Sequence, residues 1–167
     1  VDFGVNTAAI VELDVPVAAC PLALRMQFAE AIHENRSLYH HITGRSTEIS
    51  TFSCSTPRNG SDTNGVFTYR SHWTQMGFRY VEIKQVSGDR YALSTLNISS
   101  LSVSTGFDVR LESKFECSHN LTNRIQNATL VSARSNFISF PTDCPQRERA
   151  GWLGDAHVGS ETVLRNY

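Results

Sequence analysis

The chain has 167 residues, enough for one domain or for one domain and part of another. Hydrophobic residues make up 40% and charged residues 19%, the composition of a globular chain with a core to bury. A formal net charge of −1 gives no electrostatic ground for binding nucleic acid or an anionic membrane, and no apolar run approaches the ~20 residues of a membrane-spanning helix.

The chain opens on Val1 rather than Met, with no charged-then-apolar leader, and reads as a piece of something longer. Val11, Leu13 and Val15 alternate with Glu12 and Asp14, the period of a half-buried strand that Pro16 ends. Leu22, Leu24, Met26 and Phe28 alternate with Ala23, Arg25 and Gln27 in a second strand. From His33 to Glu48 neither period holds, which predicts a loop; adjacent His40 and His41 would diverge in a strand and do not make a metal site. Ile49–Cys54 is a short strand, and Thr56–Gly65, with Pro57, Asn59-Gly60 and Asn64-Gly65, is turn chemistry. Val66–Arg70 resumes as strand. Gly77–Ile83 is the strongest strand in the chain, β-branched and aromatic, with Phe78, Tyr80 and Val81 expected in the core beside Leu24 and Phe28. Tyr91–Val103 and Val109–Leu111 are further strands. Short strands separated by turn signals, with no helix among them, predict a mainly β fold, an antiparallel β-sandwich over residues 1–115.

The period changes near Phe115. Ser118 is an expected N-cap, and Leu121, Ile125, Ala128 and Ser132 follow on one helical face with no Pro or Gly before Ser135. Ala156–Tyr167 begins a second helix, with Asp155 near its N-terminus, where the helix dipole favours a carboxylate. Residues 116–167 therefore read as a separate helical unit.

Four cysteines, Cys20, Cys54, Cys117 and Cys144, permit three pairings, with Cys20 and Cys54 the better candidates for a bridge. None forms CxxC, so no zinc site is expected, and no metal or cofactor is called for. Sequons begin at Asn35, Asn59, Asn97, Asn120 and Asn127; they fit a secreted chain and chance in a Ser/Thr-rich one equally well, and leave the compartment open.

Between the two helical stretches lies Pro141–Asp155, which contains Asp143, Glu148, Asp155, Arg147, Arg149 and Trp152. Pro141 and Pro145 forbid a regular helix through its first half. Carboxylates to move protons, arginines to orient them and an indole to face sugar C–H bonds suit a carbohydrate site, although a polar connector with self-paired charges has the same composition.

The string Asp143-Cys144-Pro145-Gln146-Arg147-Glu148-Arg149, followed by Gly151-Trp152 and Gly154-Asp155, resembles the active-site signature of the α-L-rhamnosidases of glycoside hydrolase family 78. The opening Asp-Phe-Gly-x-Asn, Leu-Arg-Met-Gln-Phe-Ala-Glu, Gly-Phe-Arg-Tyr-Val-Glu and Phe-Glu-Cys-Ser-His-Asn-Leu resemble family segments in the same order. The resemblance implies a β-sandwich followed by the first helices of a truncated (α/α)6 barrel, and hydrolysis of terminal α-L-rhamnose from rhamnose-containing glycosides with inversion. It implies Glu148 as general acid, with Asp143, Arg147, Trp152 and Asp155 lining the rhamnose subsite. The general base it implies is a Glu downstream of Tyr167, so residues 1–167 alone are expected to be inactive. Many relatives carry one more acid between Arg147 and Glu148; the shorter form here keeps the Glu-to-Trp spacing and bears on the Asp143 correspondence by one residue. An acid beside arginines stays protonated poorly, so at least one of Arg147 and Arg149 is expected to turn to an aspartate. A non-catalytic carbohydrate-binding or interaction module is the alternative reading.

Overall fold

The computed structural model describes residues 1–39, 49–55, 65–71, 74–88, 90, 93–104 and 114–167. Ten strands and two helices follow one another along the described chain: β1 (Asp2–Pro16), β2 (Leu22–Ala29), β3 (Ala31–Ile32), β4 (Leu38–Tyr39), β5 (Ile49–Cys54), β6 (Val66–Arg70), β7 (Met76–Gly88), β8 (Asn97–Ser102), α1 (Asn120–Ser135), β9 (Phe137–Ile138), β10 (Phe140–Pro141) and α2 (Leu153–Asn166).

Six strands form one antiparallel sheet in the order β5-β2-β7-β1-β6, with β8 also paired to β1. The alternation seen in the sequence sets which face is buried. Val11, Leu13 and Val15 of β1 and Leu22, Leu24, Met26 and Phe28 of β2 all point into a single core cluster with Phe78 and Val81 of β7. The sheet curls until its ends meet: β5 and β6 are the outermost strands in the order, yet the Phe52 and Tyr69 rings are 5.8 Å apart, edge to face, and the Ser50 and Tyr69 hydroxyls hydrogen-bond. The antiparallel β layer read from the sequence is therefore built by curling one sheet over its own apolar face. Outward-facing polar residues lace its edges. Glu12 pairs with Arg70 across β1 and β6, and Asp14 accepts from Thr68 Oγ1 at 2.7 Å and Asn97 Nδ2 at 3.0 Å, tying β1 to β6 and β8.

Tyr80 departs from expectation. Phe78 and Val81 are both about 1% exposed, and two inward residues three apart break a strict two-residue alternation, which leaves Tyr80 half-buried outside the core. The break coincides with a register shift of β1 against β7 between Asp2 and Thr7. Gly4 takes φ 79° within that irregular stretch, and Asp2 clamps it, receiving Arg79 Nε at 2.8 Å and the Gly4 N–H at 2.7 Å. The Arg79 guanidinium, then the Gly4 N–H, hold the Asp2 carboxyl down at about 2.

β5 and β6 occupy the residues expected of them, whereas the strand expected over Tyr91–Val103 is shorter, a 3₁₀ turn at Leu93–Thr95 preceding β8. The loop expected from His33 begins as the turn of a small hairpin, with β3 paired to β4 and Arg36 at φ 65°. His40, His41, the Thr56–Asn64 turn and the Val109–Leu111 strand lie outside the described residues. Cys20 and Cys54 are disulfide-bonded, closing a separation of 34 residues, while Cys117 and Cys144 are free thiols.

Both helices form. The expected Ser118 cap does not: His119 is the N-cap residue and makes no side-chain capping bond. Asn123 reaches back instead, its Oδ1 accepting the Cys117 N–H at 2.9 Å and its Nδ2 donating to Cys117 O at 2.8 Å. α1 ends against the sheet, where the buried Ser135 hydroxyl lies 3.3 Å from Thr7 Oγ1. α2 lies along α1, joined by Gln126 Nε2 to Asn166 Oδ1 at 2.9 Å and Tyr167 Oη to Leu130 O at 3.0 Å. Leu121 and Ile125 of α1 and Val158 and Leu164 of α2 are more than half exposed, so the apolar helical faces carry little packing of their own.

Leu24, 1% exposed in the middle of the core, is the sharpest probe of the sheet. Leu24→Ala is expected to lower stability by about 2–5 kcal/mol in urea or thermal unfolding, and a near-neutral melt would contradict the packing of β2.

Candidate functional site

The segment between α1 and α2 has little regular structure, and side chains and close contacts hold its shape. β9 and β10 make a tight hairpin through Ser139 at φ 71°. Thr142 then donates its N–H and its hydroxyl to Asn136 O, at 2.8 and 3.1 Å, which fixes the exit from α1.

From Asp143 to Ala150 the chain makes a closed loop. The Asp143 N–H donates to Ala150 O at 3.0 Å, and the Ala150 N–H returns to Asp143 Oδ1 at 2.9 Å. The other carboxylate oxygen, Oδ2, accepts the Cys144 thiol at 3.2 Å. Burial pushes the Asp143 carboxyl up, but the hydrogen bonds from the Ala150 N–H and the Cys144 thiol outweigh it and hold the group below its ordinary value. Asp143 is therefore an ionised anchor.

Pro145 and Gln146 are buried under this loop against β7. A methyl group at Gly77 would lie 2.7 Å from both Pro145 C and Gln146 N, closer than packed atoms approach, so only glycine lets the loop's backbone meet the sheet there. Arg149 takes φ 54°, and burial lowers the pKa of its guanidinium. Gly151 lets the chain leave past the Phe140 ring, which a Cβ would meet at 2.8 Å.

Glu148 stands on the outer side of the loop, with its side chain 45% exposed. Trp152 Nε1 donates to Glu148 Oε2 at 3.2 Å and Arg147 Nη2 reaches Oε1 at 3.2 Å. Its backbone N–H donates to Cys144 Sγ at 3.2 Å. Arg147 thus turns to Glu148 rather than to an aspartate. Trp152, 54% exposed, caps the start of α2, and Asp155 lies in the first turn of that helix, as its place in the sequence predicts.

The structure brings Glu148, Arg147 and Trp152 together, with Asp143 one thiol away from the Glu148 backbone. Asp155 is set apart from that trio. Asp143 and Asp155 both line a groove of ≈ 1040 Å³ along α1 and α2, beside Asn136 and Ser132, whereas Glu148, Arg147 and Trp152 lie outside it. Two residues of the site were not singled out from the sequence. Cys144 lies within the motif and among the four cysteines, but the sequence assigns it no contact, and Gly77 contacts the loop from 68 positions upstream, a pairing no local pattern reveals.

The family model described as the bacterial α-L-rhamnosidase concanavalin-like domain matches residues 1–104, and that of the bacterial α-L-rhamnosidase six-hairpin glycosidase domain matches residues 110–167. This chain belongs to the α-L-rhamnosidases of glycoside hydrolase family 78. An α-L-rhamnosidase of Formosa agariphila is 32% identical over 171 residues, covering 100% of this chain and 17% of that protein. One of Streptomyces avermitilis is 29% identical over 97% of this chain and 15% of its own length. Among solved structures, the α-L-rhamnosidase of Dictyoglumus thermophilum superposes with a TM-score of 0.82 at 30% identity, covering 99% of this chain and 17% of that one. The Streptomyces avermitilis enzyme complexed with L-rhamnose superposes with a TM-score of 0.77 at 26% identity, over 99% of this chain and 15% of that one. The chain thus spans under a fifth of the length of each of these relatives.

Because the Asp143 pKa is lowered in the folded state, its ionisation stabilises the fold fully above the unfolded carboxyl value of ~3.9, and the contribution is lost as pH falls through the folded value. Asp143→Asn is therefore expected to lower the melting temperature at neutral pH, with the gap to the parent narrowing as the pH is taken below ~3.9. A gap that widened in acid would reverse the sign of this assignment.

Proposed function

We propose that this chain supplies the proton-donor side of an inverting α-L-rhamnosidase, with residues 1–115 as the sandwich and 116–167 as the leading edge of an (α/α)6 barrel. Glu148 is the general acid, and Asp143, Arg147, Trp152 and Asp155 line the subsite for a terminal rhamnose. The observation that carries this is the division of labour between neighbouring carboxylates. Asp143 is held ionised by the Ala150 N–H and the Cys144 thiol, so it is a poor proton donor, while Glu148 is exposed and reachable. The α-L-rhamnosidase relatives and the L-rhamnose complex of the Streptomyces avermitilis enzyme support the substrate class.

In this reading Glu148 passes its proton to the glycosidic oxygen as the bond to the anomeric carbon breaks. A second carboxylate, ~6.5–9.5 Å away, takes a proton from water as that water attacks the opposite face of the sugar. Arg147 and the Trp152 indole N–H contact the two Glu148 carboxyl oxygens and orient the group. The exposed indole face of Trp152 then covers the C–H face of the sugar. Asp155 accepts from sugar hydroxyls at the start of α2.

In the full-length protein that carries this sequence, Glu148→Gln is expected to cut turnover by roughly 10²–10⁴-fold on rhamnosides with poor leaving groups, and far less on activated aryl rhamnosides. Equal losses on both would move the acid elsewhere, Asp155 being the next candidate.

Residues 1–167 by themselves are expected to show no turnover of an activated aryl rhamnoside, because this reading places no second carboxylate opposite Glu148 among them. Turnover by these residues that Glu148→Gln abolished would mean that they hold their own base.

A further inference from the structure

We propose that Cys144 is a positioning residue for the reaction, its thiol fixing the Glu148 backbone against Asp143; the proposal rests on the assignment of Glu148 as general acid. The Asp143–Ala150 loop is closed at its two ends by the reciprocal bonds between those residues, 3.0 and 2.9 Å long. Its interior offers few backbone pairings, since Pro145 has no N–H and Arg149 is turned to a positive φ. Across that interior lies one sulfur atom. Cys144 Sγ accepts the Glu148 N–H at 3.2 Å and donates its own hydrogen to Asp143 Oδ2 at 3.2 Å.

The two bonds act together. A thiol is a weak donor and acceptor, but donation to a carboxylate is charge-assisted, which orients the sulfur so that its lone pairs face the Glu148 N–H. Asp143 is itself pinned by Ala150, so the sulfur transmits a fixed position to the residue that carries the acid. Among the described residues, the Glu148 side chain has Arg147 and the Trp152 indole to orient it, and both contacts are surface-exposed. Its backbone is the firmer reference, and Cys144 holds it. The thiol is half-buried and free of any disulfide. It touches no reacting atom and acts through Glu148.

The test uses the full-length protein with a paired set of substrates, an alkyl α-L-rhamnoside with a poor leaving group and an activated aryl one. Cys144→Ala removes both bonds, Cys144→Val removes them at nearly constant volume, and Cys144→Ser retains a donor and an acceptor. Misplacement of the acid by ~1 Å is worth about 10²-fold, so Ala and Val are expected to lose roughly 10–100-fold in kcat on the alkyl substrate, with much smaller losses on the aryl one and little change in KM. Ser is expected to recover most of that loss. Parental activity in the Val variant, equal losses on the two substrates, or a Ser variant no better than Val would overturn the proposal. If Ala and Val fail to fold, Ser decides alone, and loss of its preference between the two substrates overturns the proposal. Glu148→Gln is measured alongside. If it shows no leaving-group dependence, the general-acid reading falls; if it does and Cys144→Val does not, only the role of the thiol falls.

Discussion

The pairing of β7 with two partners at once is the constraint on which the rest of the molecule depends. Its first residues hydrogen-bond to β1 and nearly all the remainder to β2, so it is the seam across which the sheet folds onto itself. Phe78 and Val81 project from that seam into the core, where Phe78 meets Phe3 and Phe28 edge to face at 5.5 and 5.1 Å. The curl turns the apolar faces of β1 and β2 into one core, the Cys20–Cys54 bridge ties the start of β2 to β5, and α1 finds its footing on β1. Each of these needs β7 to be central and long.

The site inherits this order at one remove. None of its side chains sits on a strand of the large sheet, yet the loop that carries them is seated on β7 and anchored to the end of α1. Within the loop Asp143 is closed in by the Ala150 N–H and the Cys144 thiol, and Glu148 stands exposed on the outer side. The same short segment thus contains two carboxylates in different surroundings, separated by what donates to each.

The strands were legible wherever a two-residue period ran unbroken. β2, β5 and β6 begin where expected and end within a residue of it, because alternation reports directly which side chains face the core. Tyr80 falls outside the core because the alternation changes parity within β7, between Phe78 and Val81, opposite the irregular stretch of β1. Ser118 was misread as a cap because the Cys117 backbone groups are satisfied by Asn123 from inside the helix. β9 and β10, two residues each, are too short to show any period. For the site, the residue types and their order were legible through the motif, and Asp155 fell where the helix start predicts. The Arg147–Glu148 pairing and the thiol bridge were not, since both depend on how a Pro-containing loop closes, and that is decided by Gly77 far away in sequence.

Gly77 has a consequence for how the protein divides into parts. The two family models meet between residues 104 and 110, which is where a chain would be cut to exchange one β domain for another. The mechanical boundary is elsewhere, since Pro145 and Gln146, well inside the second match, rest on a strand of the first with no room for even a methyl group between them. A transplanted sheet would therefore have to bring not only a similar curl but a bare backbone at this one position. The β layer is in that sense part of the loop's foundation, and the two units share this contact however separable they look along the sequence.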